Sequence, residues 1–360
     1  MKAAVLRSVG SLQIETLMLD GPRAEEIRIR VMASGLCHSD YHFITGDLPM
    51  MMPALLGHEA AGVVEAIGED VVGIAPGDFV VTCVSAYCGA CRECQCGHNH
   101  RCEQRPGLAL DRPSKSRLTD SDGNPVYQFA NLGAFAEEMV VHHRAVVKIS
   151  EAVPPAAAAL LGCGVLTGIG SVLNAAKVPA GSTVAVIGCG GVGLNVIQGA
   201  RIAGAERIIA IDLSTAKLDL ARTFGATDTV VGGPEAVAQV LEMTSGGVDF
   251  AFEAIGLPQT MHDSCAMLRS GGTATLLGVA SAGANLAIPV MMFAAKEIRV
   301  IGSKMGSSPF QILLPQLAQF YLRGELMLDE LVSQCISLDE INEGYARVAT
   351  GNVARNVIVF

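Results

Sequence analysis

A glycine-rich turn between an apolar run and an amphipathic run is the feature of this sequence that most limits its fold. Residues 183–187 are apolar, residues 194–203 have helical periodicity, and the segment between them fits the pattern G-x-G-x-x-G. In a strand–turn–helix unit, such glycines allow a tight turn and let the backbone approach a pyrophosphate at the helix N-terminus. The residues predicted to contact the pyrophosphate are Gly188, Gly190, Gly191, Val192 and Gly193.

The pattern alone is weak, because a chain with 40 glycines can match it by chance. Asp212 strengthens it. This residue lies 19 positions after Gly193, at the end of the next apolar run, where a carboxylate can bind ribose hydroxyls. Because the same charge would repel a 2′-phosphate, the sequence predicts NAD rather than NADP. The alternative is an ordinary glycine turn followed by a solvent-facing aspartate.

Alternating apolar and amphipathic runs predict a parallel, doubly wound α/β sheet. Its strands are expected at 183–187, 207–211, 248–254 and 273–278, and its helices at 194–203 and 217–224. The preceding residues read as a β-rich domain with a long polar loop at 105–127. Since 360 residues are long for one core, we expect two domains. The β-rich domain is expected at residues 1–164 and the α/β domain at residues 165–304, and residues 305–360 are expected to return to the β-rich domain.

The charge balance and one apolar segment limit the partners. A net charge of −10 argues against nucleic acids and acidic membrane surfaces. Residues 152–176 carry no charge and are long enough to cross a bilayer, but their Ala- and Gly-rich composition fits a buried segment better. No signal peptide is evident. The sequence therefore predicts a soluble, cytoplasmic protein that acts on a small molecule.

Four clustered cysteines predict a closed metal site. Cys88, Cys91, Cys94 and Cys102 lie within fifteen residues and supply the four thiolates of a tetrahedral structural zinc site. An iron–sulfur cluster is the weaker reading, because the spacing differs from the usual ferredoxin runs. A zinc ribbon, which would make this an interaction protein that binds nucleic acid, is weakened by the acidic balance. Cys83 and Cys96 are left over as core or surface thiols.

A second group of metal-binding side chains lies near the start of the chain. The run Cys37-His38-Ser39-Asp40-Tyr41-His42 combines a thiol, two imidazoles, a hydroxyl and a carboxylate, and His58-Glu59 and Cys163 add further donors. Thiolate, imidazole and carboxylate are the ligands that zinc prefers. Taken singly, each residue has a plainer interpretation, such as a buried cysteine or a surface histidine. Their joint spacing favours a metal centre.

The order Cys37-x₂₀-His58-Glu59, the four clustered cysteines, Cys163 and then the glycine turn resembles the zinc-dependent medium-chain alcohol dehydrogenases along essentially the whole chain. The resemblance implies an α/β Rossmann domain and a β-rich, GroES-like catalytic domain that carries a zinc lobe at 88–102. It implies that Cys37, His58 and Cys163 bind a catalytic zinc, with a fourth position open to water or substrate. Glu59 would be an exchangeable ligand, and Asp40 would orient His58. Two zinc ions per chain are expected.

The implied reaction is the reversible oxidation of a primary or secondary alcohol to an aldehyde or ketone. Zinc lowers the pKa of a bound oxygen from about 16 to near 7, so that the alkoxide becomes accessible at neutral pH. Ser39 would take the proton and pass it through the nicotinamide ribose to His42, while the hydride goes to the nicotinamide. The plainer interpretations are a turn residue for Ser39 and a surface imidazole for His42.

The resemblance also implies residues that contact the cofactor and the substrate. His38, Lys217 and Arg355 match basic residues near the pyrophosphate, the adenosine ribose and a phosphate. The pocket positions implied by the resemblance are all apolar, which predicts an uncharged substrate: Leu48, Val84, Leu277 and Val279. Leu277 and Val279 are also expected to lie beside the cofactor.

The sequence shares features with several subgroups of the family. Thiol-adduct (formaldehyde) dehydrogenases carry polar groups where Leu48 and Pro106 stand here, although Arg105 and Arg112 could bind a carboxylate from nearby. Segments 33–47 and 162–170 also resemble bacterial nicotinoprotein alcohol dehydrogenases, which keep NAD(H) bound. The long loop at 105–127 resembles that of dimeric members, so a homodimer is expected, with a tetramer as the alternative. A zinc-free reductase on the same fold would lack Cys37, His58 and the four-cysteine cluster.

Overall fold

The computed structural model describes residues 1–108, 116–281, 283–351 and 354–360. The chain forms two compact units. Met1–Cys163 and Pro309–Phe360 make up the first unit, and Gly164–Ser308 makes up the second, inserted unit. The domain boundaries predicted from the sequence fall after residues 164 and 304.

The strands run over β1 (Lys2–Ser8), β2 (Ser11–Thr16), β3 (Met18–Leu19), β4 (Glu26–Gly35), β5 (Ala54–Leu55), β6 (Glu59–Ile67), β7 (Phe79–Thr82), β8 (Leu118–Thr119), β9 (Pro125–Gln128), β10 (Glu138–His142), β11 (Val146–Lys148), β12 (Thr183–Ile187), β13 (Arg207–Asp212), β14 (Asp228–Val231), β15 (Val248–Glu253), β16 (Leu268–Leu276), β17 (Arg299–Gly302), β18 (Val332–Ile336) and β19 (Arg355–Val359).

The helices run over α1 (His38–Thr45), α2 (Arg92–Gln95), α3 (Pro155–Leu160), α4 (Leu166–Gly170), α5 (Gly191–Ile202), α6 (Thr215–Thr223), α7 (Ala236–Met243), α8 (Pro258–Ala266), α9 (Val290–Lys296), α10 (Phe310–Leu322) and α11 (Ile341–Ala349). Short 3₁₀ turns lie at Asn99–Arg101, Phe129–Asn131, His143–Ala145, Met305–Ser307, Asp329–Leu331 and Leu338–Glu340.

Two β-sheets form most of the first unit. One has the strand order β2-β1-β5-β9-β8-β3, and the other has the order β11-β7-β6-β4-β19-β18, with β10 also paired to β4. Strand β4 shows why the second sheet is stable, because Ile27, Ile29 and Val31 alternate along it and are almost fully buried in the core. Residues before and after the inserted unit therefore share one sheet.

The inserted unit contains a parallel sheet with the order β14-β13-β12-β15-β16-β17. This confirms the predicted doubly wound fold. Helix α5 begins at Gly191 and not at residue 194 as predicted, so the last glycines of the motif already belong to its first turn. Close packing requires a glycine at 193, because a Cβ there would lie 1.7 Å from the carbonyl oxygen of Gly188.

Two further segments differ in detail from expectation. The predicted loop at 105–127 contains β8 and the start of β9, which pair antiparallel around a turn at residues 120–124. Residues 109–115, with Arg112, lie outside the described part of the chain. The apolar segment near residue 160 is a helical run over Pro155–Ala176, with π-helical turns at Leu161–Val165 and Ser171–Ala176. Because 78% of its most apolar window is buried, it has the character of a core helix.

Candidate functional site

Strand pairing brings the two halves of the first predicted metal site together. Gly35 at the end of β4 pairs with Glu59 at the start of β6, so Cys37 and His58 lie just beyond the same end of the ladder. Helix α3 packs on both strands and ends shortly before Cys163. One ligand atom from each of Cys37, His58, Glu59 and Cys163 lies within 4.8 Å of the others. These four donors, far apart in sequence, form one buried cluster.

The surroundings of this cluster fit a bound cation. Asp40, which is fully buried, accepts a hydrogen bond from the backbone N–H of Gly57 (3.1 Å), and its other oxygen lies 3.0 Å from His58 Nδ1. Because a carboxylate draws the proton to Nδ1, Nε2 of His58 is left as a lone-pair donor. Both carboxylate oxygens of Glu59 are buried and lack a hydrogen-bond donor among the described residues. The donor set and the unsatisfied carboxylate match a zinc site.

The pKa shifts at this cluster follow from burial and from its own charges. A hydrogen bond from Cys163, helped by the charge of His58 when its ring is protonated, holds the pKa of Cys37 well below its usual range despite burial. The same contact and burial raise the pKa of Cys163. Burial raises the pKa of Glu59 to about 7, although Arg355 opposes the shift. The pair of thiols therefore tends to carry one negative charge even without a metal ion. A bound cation would favour ionisation of the remaining donors as well.

Arg355 lies in the first unit beside this cluster. Its guanidinium Nη2 is 3.6 Å from Glu59 Oε1, and both side chains are buried. The resemblance implies a phosphate contact for Arg355, which stays a prediction. In the structure its nearest described acidic partner is Glu59.

Helix α1 carries the predicted proton relay. Ser39 is half-buried, and the ring of His38 lies edge-on to the rings of Tyr41 and His42, with centroids 5.7 Å apart in both cases. His42 Nδ1 is 3.2 Å from Asp47 Oδ2. Asp47 is absent from the predicted set. Its signal in the sequence is Gly46, which ends the helix and turns the chain back towards His42.

The four-cysteine lobe has the dimensions of a tetrahedral zinc site. Cys88 Sγ is 4.0 Å from Cys94 Sγ, and Cys91 Sγ is 3.9 Å from Cys102 Sγ. A tetrahedron with Zn–S bonds of about 2.3 Å has edges of about 3.8 Å, whereas a disulfide bond is about 2.05 Å long. Backbone N–H groups of Cys88 and Cys91 donate to lobe sulfur atoms at 3.2 Å, as expected for thiolates. Cys96 is exposed and Cys83 is buried.

The glycine turn and Asp212 meet in the inserted unit. Asp212 is the last residue of β13, and its carboxylate accepts hydrogen bonds from the backbone N–H groups of Cys189 (2.8 Å) and Ser214 (3.0 Å). These bonds hold the carboxylate beside the turn. Lys217 Nζ lies 4.0 Å from the same carboxylate. A Cβ on Gly190 would meet no atom within 4 Å, so there is open space at the centre of the turn.

Substitutions at Gly193 and Gly190 should have different effects. In Gly193→Ala the new methyl group collides with the backbone of Gly188, so we expect a loss of stability of at least about 1–3 kcal/mol. Gly190→Ala has room to fold, but its methyl group would occupy space that a pyrophosphate needs. Thermal unfolding and NAD titration of both variants check this. Equal melting temperatures for G193A and G190A would contradict it.

The predicted pocket residues are divided between the two units. Leu48 and Val84 are half-buried in the first unit, where Val84 packs against the core of the second sheet. Leu277 is half-buried in the inserted unit, and Val279 is 64% exposed. Arg105 donates to the backbone carbonyls of Val84 and His100, so its guanidinium is already engaged.

The chain is similar to known proteins over its whole length. The family described as "Alcohol dehydrogenase GroES-like domain" matches residues 23–151, and the one described as "Zinc-binding dehydrogenase" matches residues 191–320. Alcohol dehydrogenase class-3 of rice (Oryza sativa subsp. japonica) is 36% identical over 96% of this chain and 93% of its own.

Two solved structures are also similar. An alcohol dehydrogenase zinc-binding domain protein from Burkholderia ambifaria is 34% identical, with a TM-score of 0.95 over 100% of this chain and 98% of that one. Benzyl alcohol dehydrogenase from Acinetobacter calcoaceticus is 30% identical, with a TM-score of 0.92 over 100% and 99% of the two chains. The sequence match and the fold agree with the cysteine and histidine sets described above, which could hold zinc. The chain belongs to the zinc-dependent medium-chain alcohol dehydrogenases.

Proposed function

We propose that this alcohol dehydrogenase reversibly oxidises uncharged, apolar alcohols of about the size of benzyl alcohol, with NAD as hydride acceptor. The buried cluster of Cys37, His58, Glu59 and Cys163 is the observation that carries the proposal. The apolar side chains of Leu48 and Val84 support an uncharged substrate, and a benzyl alcohol dehydrogenase is among the similar structures. Arg105, whose guanidinium is engaged by backbone carbonyls, gives little support for a carboxylate-bearing adduct.

In this proposal Cys37, His58 and Cys163 hold the catalytic zinc, Glu59 is an exchangeable donor, and Cys88, Cys91, Cys94 and Cys102 hold the structural one. When bound, the catalytic zinc supplies a Lewis acid that lowers the pKa of an alcohol and polarises a carbonyl. Asp40 holds Nδ1 of His58, so that Nε2 keeps the lone pair that a metal ion would use. Arg355 offsets the negative charge of Glu59.

The chain's own groups carry the proton in this mechanism. The hydroxyl of Ser39 accepts the proton that leaves the substrate and donates its own proton towards His42, and the resemblance implies that the nicotinamide ribose would lie between these two side chains. The imidazole of His42 is about one-third exposed, so it can pass the proton to water. In the reverse direction the same groups return a proton to the product oxygen.

Activity and metal content test the proposal together. Purified protein should contain two zinc ions per chain by elemental analysis and should reduce NAD with benzyl alcohol. If the dinucleotide stays bound, as in nicotinoproteins, nitrosodimethylaniline should replace NAD as the acceptor. Faster oxidation of S-(hydroxymethyl)glutathione than of benzyl alcohol would favour the thiol-adduct alternative. A folded, zinc-free chain with undiminished activity would overturn the proposal.

Asp212 should select NAD against NADP. In Asp212→Asn the charge that repels a 2′-phosphate is lost, and so is an acceptor for the ribose hydroxyls. We therefore expect KM for NAD to rise about tenfold or more, and KM for NADP to stay level or fall. Asp219→Asn removes an exposed charge from the nearby α6 and is the matched control. Equal changes in both KM values would contradict this role.

The proposal includes a cytoplasmic homodimer. The inserted unit has an edge strand, β17, and α9 exposes the apolar side chains of Val290, Met291 and Phe293. Such a surface is typical of an interface between protein chains. Light scattering on the purified protein should give twice the 37.4 kDa of one chain. A fourfold mass would favour the tetramer.

A further inference from the structure

The end of α1 brings a carboxylate to the last residue of the proposed relay. Gly46 has φ +83°, a left-handed conformation that favours glycine, and it turns the chain back over the helix. The backbone N–H of Leu48 donates to the carbonyl of His42 at 3.1 Å and closes this turn. As a result, Asp47 Oδ2 lies 3.2 Å from His42 Nδ1, and the same oxygen accepts a hydrogen bond from the Thr45 hydroxyl at 2.8 Å.

The chemistry of this contact fixes the proton on one ring nitrogen. The hydrogen bond from Thr45, and next the contact with His42, lower the pKa of Asp47, so its carboxylate is ionised at neutral pH. An ionised carboxylate can only accept hydrogen bonds, and therefore Nδ1 of His42 carries a proton. In the neutral ring, Nε2 then has the free lone pair.

We propose that Asp47 is a positioning residue that holds His42 in the Nδ1–H tautomer and so makes Nε2 the nitrogen that accepts the proton leaving the alcohol. This inference rests on the proposed function, because it assigns a partner to the last group of the relay. Ser39 accepts the proton of the substrate hydroxyl and gives up its own, one proton arrives at His42 Nε2 by way of the nicotinamide ribose that the resemblance implies between them, and the resulting imidazolium beside Asp47 releases one proton to water. Each hydroxyl on this route gains one proton and loses one.

The exposure of the pair sets the expected size of the effect. The side chains of His42 and Asp47 are 34% and 62% exposed, so solvent screens their attraction. The titratable ring of His38 also lies edge-on to that of His42, at a centroid distance of 5.7 Å. Asp47 should therefore tune the relay by a modest factor, while His42 itself determines whether the relay works.

A double-mutant cycle tests the proposal in the zinc-loaded protein with benzyl alcohol as substrate. Asp47→Ala should lower kcat for alcohol oxidation about fivefold without changing NAD affinity. Asp70→Ala, which removes an exposed carboxylate elsewhere in the first unit, should leave kcat unchanged. In a His42→Gln background, Asp47→Ala should have no further effect, because the residue through which it acts is gone.

The outcomes separate this inference from the proposed function. If H42Q itself leaves oxidation unchanged, the relay is wrong and the role of Asp47 falls with it. If H42Q lowers kcat but D47A does not, or if D47A lowers kcat equally in both backgrounds, only the role of Asp47 is overturned. The proposed function is tested separately, by whether the wild-type protein oxidises benzyl alcohol.

The tautomer can also be observed directly. Two-bond ¹⁵N–¹H correlation spectra distinguish the two neutral forms of an imidazole, and the H42Q spectrum identifies the His42 signals among those of the 8 histidines. We expect the Nδ1–H form in the wild-type protein and in D70A, and a shift towards the Nε2–H form in D47A. A predominantly Nε2–H His42 in the wild-type protein would overturn the proposal.

Discussion

Replacing Cys37 with alanine should abolish alcohol oxidation, lowering kcat/KM by about a thousandfold or more, and should reduce the zinc content from two ions per chain to one. Cys37 is buried and is one of the four donors whose ligand atoms lie within 4.8 Å of one another, so its loss removes a thiolate from the site. Without it, the buried cluster keeps one thiol, one imidazole and a carboxylate. We would measure benzyl alcohol oxidation and zinc per chain on the same preparation.

Cys83→Ala is the matched control for this prediction. Cys83 is also buried in the first unit, but it lies outside both donor clusters, and burial raises the pKa of its thiol to about 11. It lines a cavity of about 40 Å³ with Val84 and His142, so its truncation should lower stability slightly and leave two zinc ions in place. Two zinc ions and full activity in C37A would contradict the site.

Cys91→Ser should disrupt the four-cysteine lobe and lower the melting temperature by about 10 °C or more. The lobe has little regular structure: α2 spans Arg92–Gln95, and a single 3₁₀ turn at Asn99–Arg101 follows within 88–102. Four sulfur atoms at tetrahedral spacing are therefore its main support. Differential scanning calorimetry and zinc analysis would measure the effect, with one zinc per chain expected to remain.

Cys96→Ser provides the control within the same lobe. Cys96 is exposed and is not one of the four clustered donors, so its loss should leave both melting temperature and zinc content unchanged. Equal melting temperatures for C91S and C96S would show that the lobe does not depend on a metal. A C91S protein that retains two zinc ions would point to a different ligand set.

The sequence predicted those features that depend on short-range pattern. Strand β12, the glycine turn and Asp212 at the end of β13 belong to one strand–turn–helix–strand unit, whose residue types and spacing follow from local backbone requirements. The four lobe cysteines are also close in sequence. The start of α5 at Gly191 was missed because glycine has a low helix propensity, so residues 191 and 193 read as part of the turn.

Contacts between distant segments could not be predicted in the same way. The pair of Arg355 and Glu59 depends on β19 lying beside β4, which leaves no local pattern in either segment. The contact of Asp47 with His42 is local and has a signal in Gly46, but only the turn that follows this left-handed residue shows that the two side chains meet. Side-chain identity showed which groups could bind zinc or carry a proton, but only the fold shows which of them meet.

The pairing of β19 with β4 has a consequence for the order in which the protein can fold during synthesis. Val357 pairs with Gly35, and the backbone N–H of Leu36 donates to the carbonyl of Asn356, immediately before Cys37. The ribosome makes the inserted unit before it makes β19, so that unit can fold while the sheet around Cys37 is still one strand short. The backbone that leads into Cys37 is thus complete only after β19 has emerged, and a metal ion that arrives earlier meets an unfinished donor cluster.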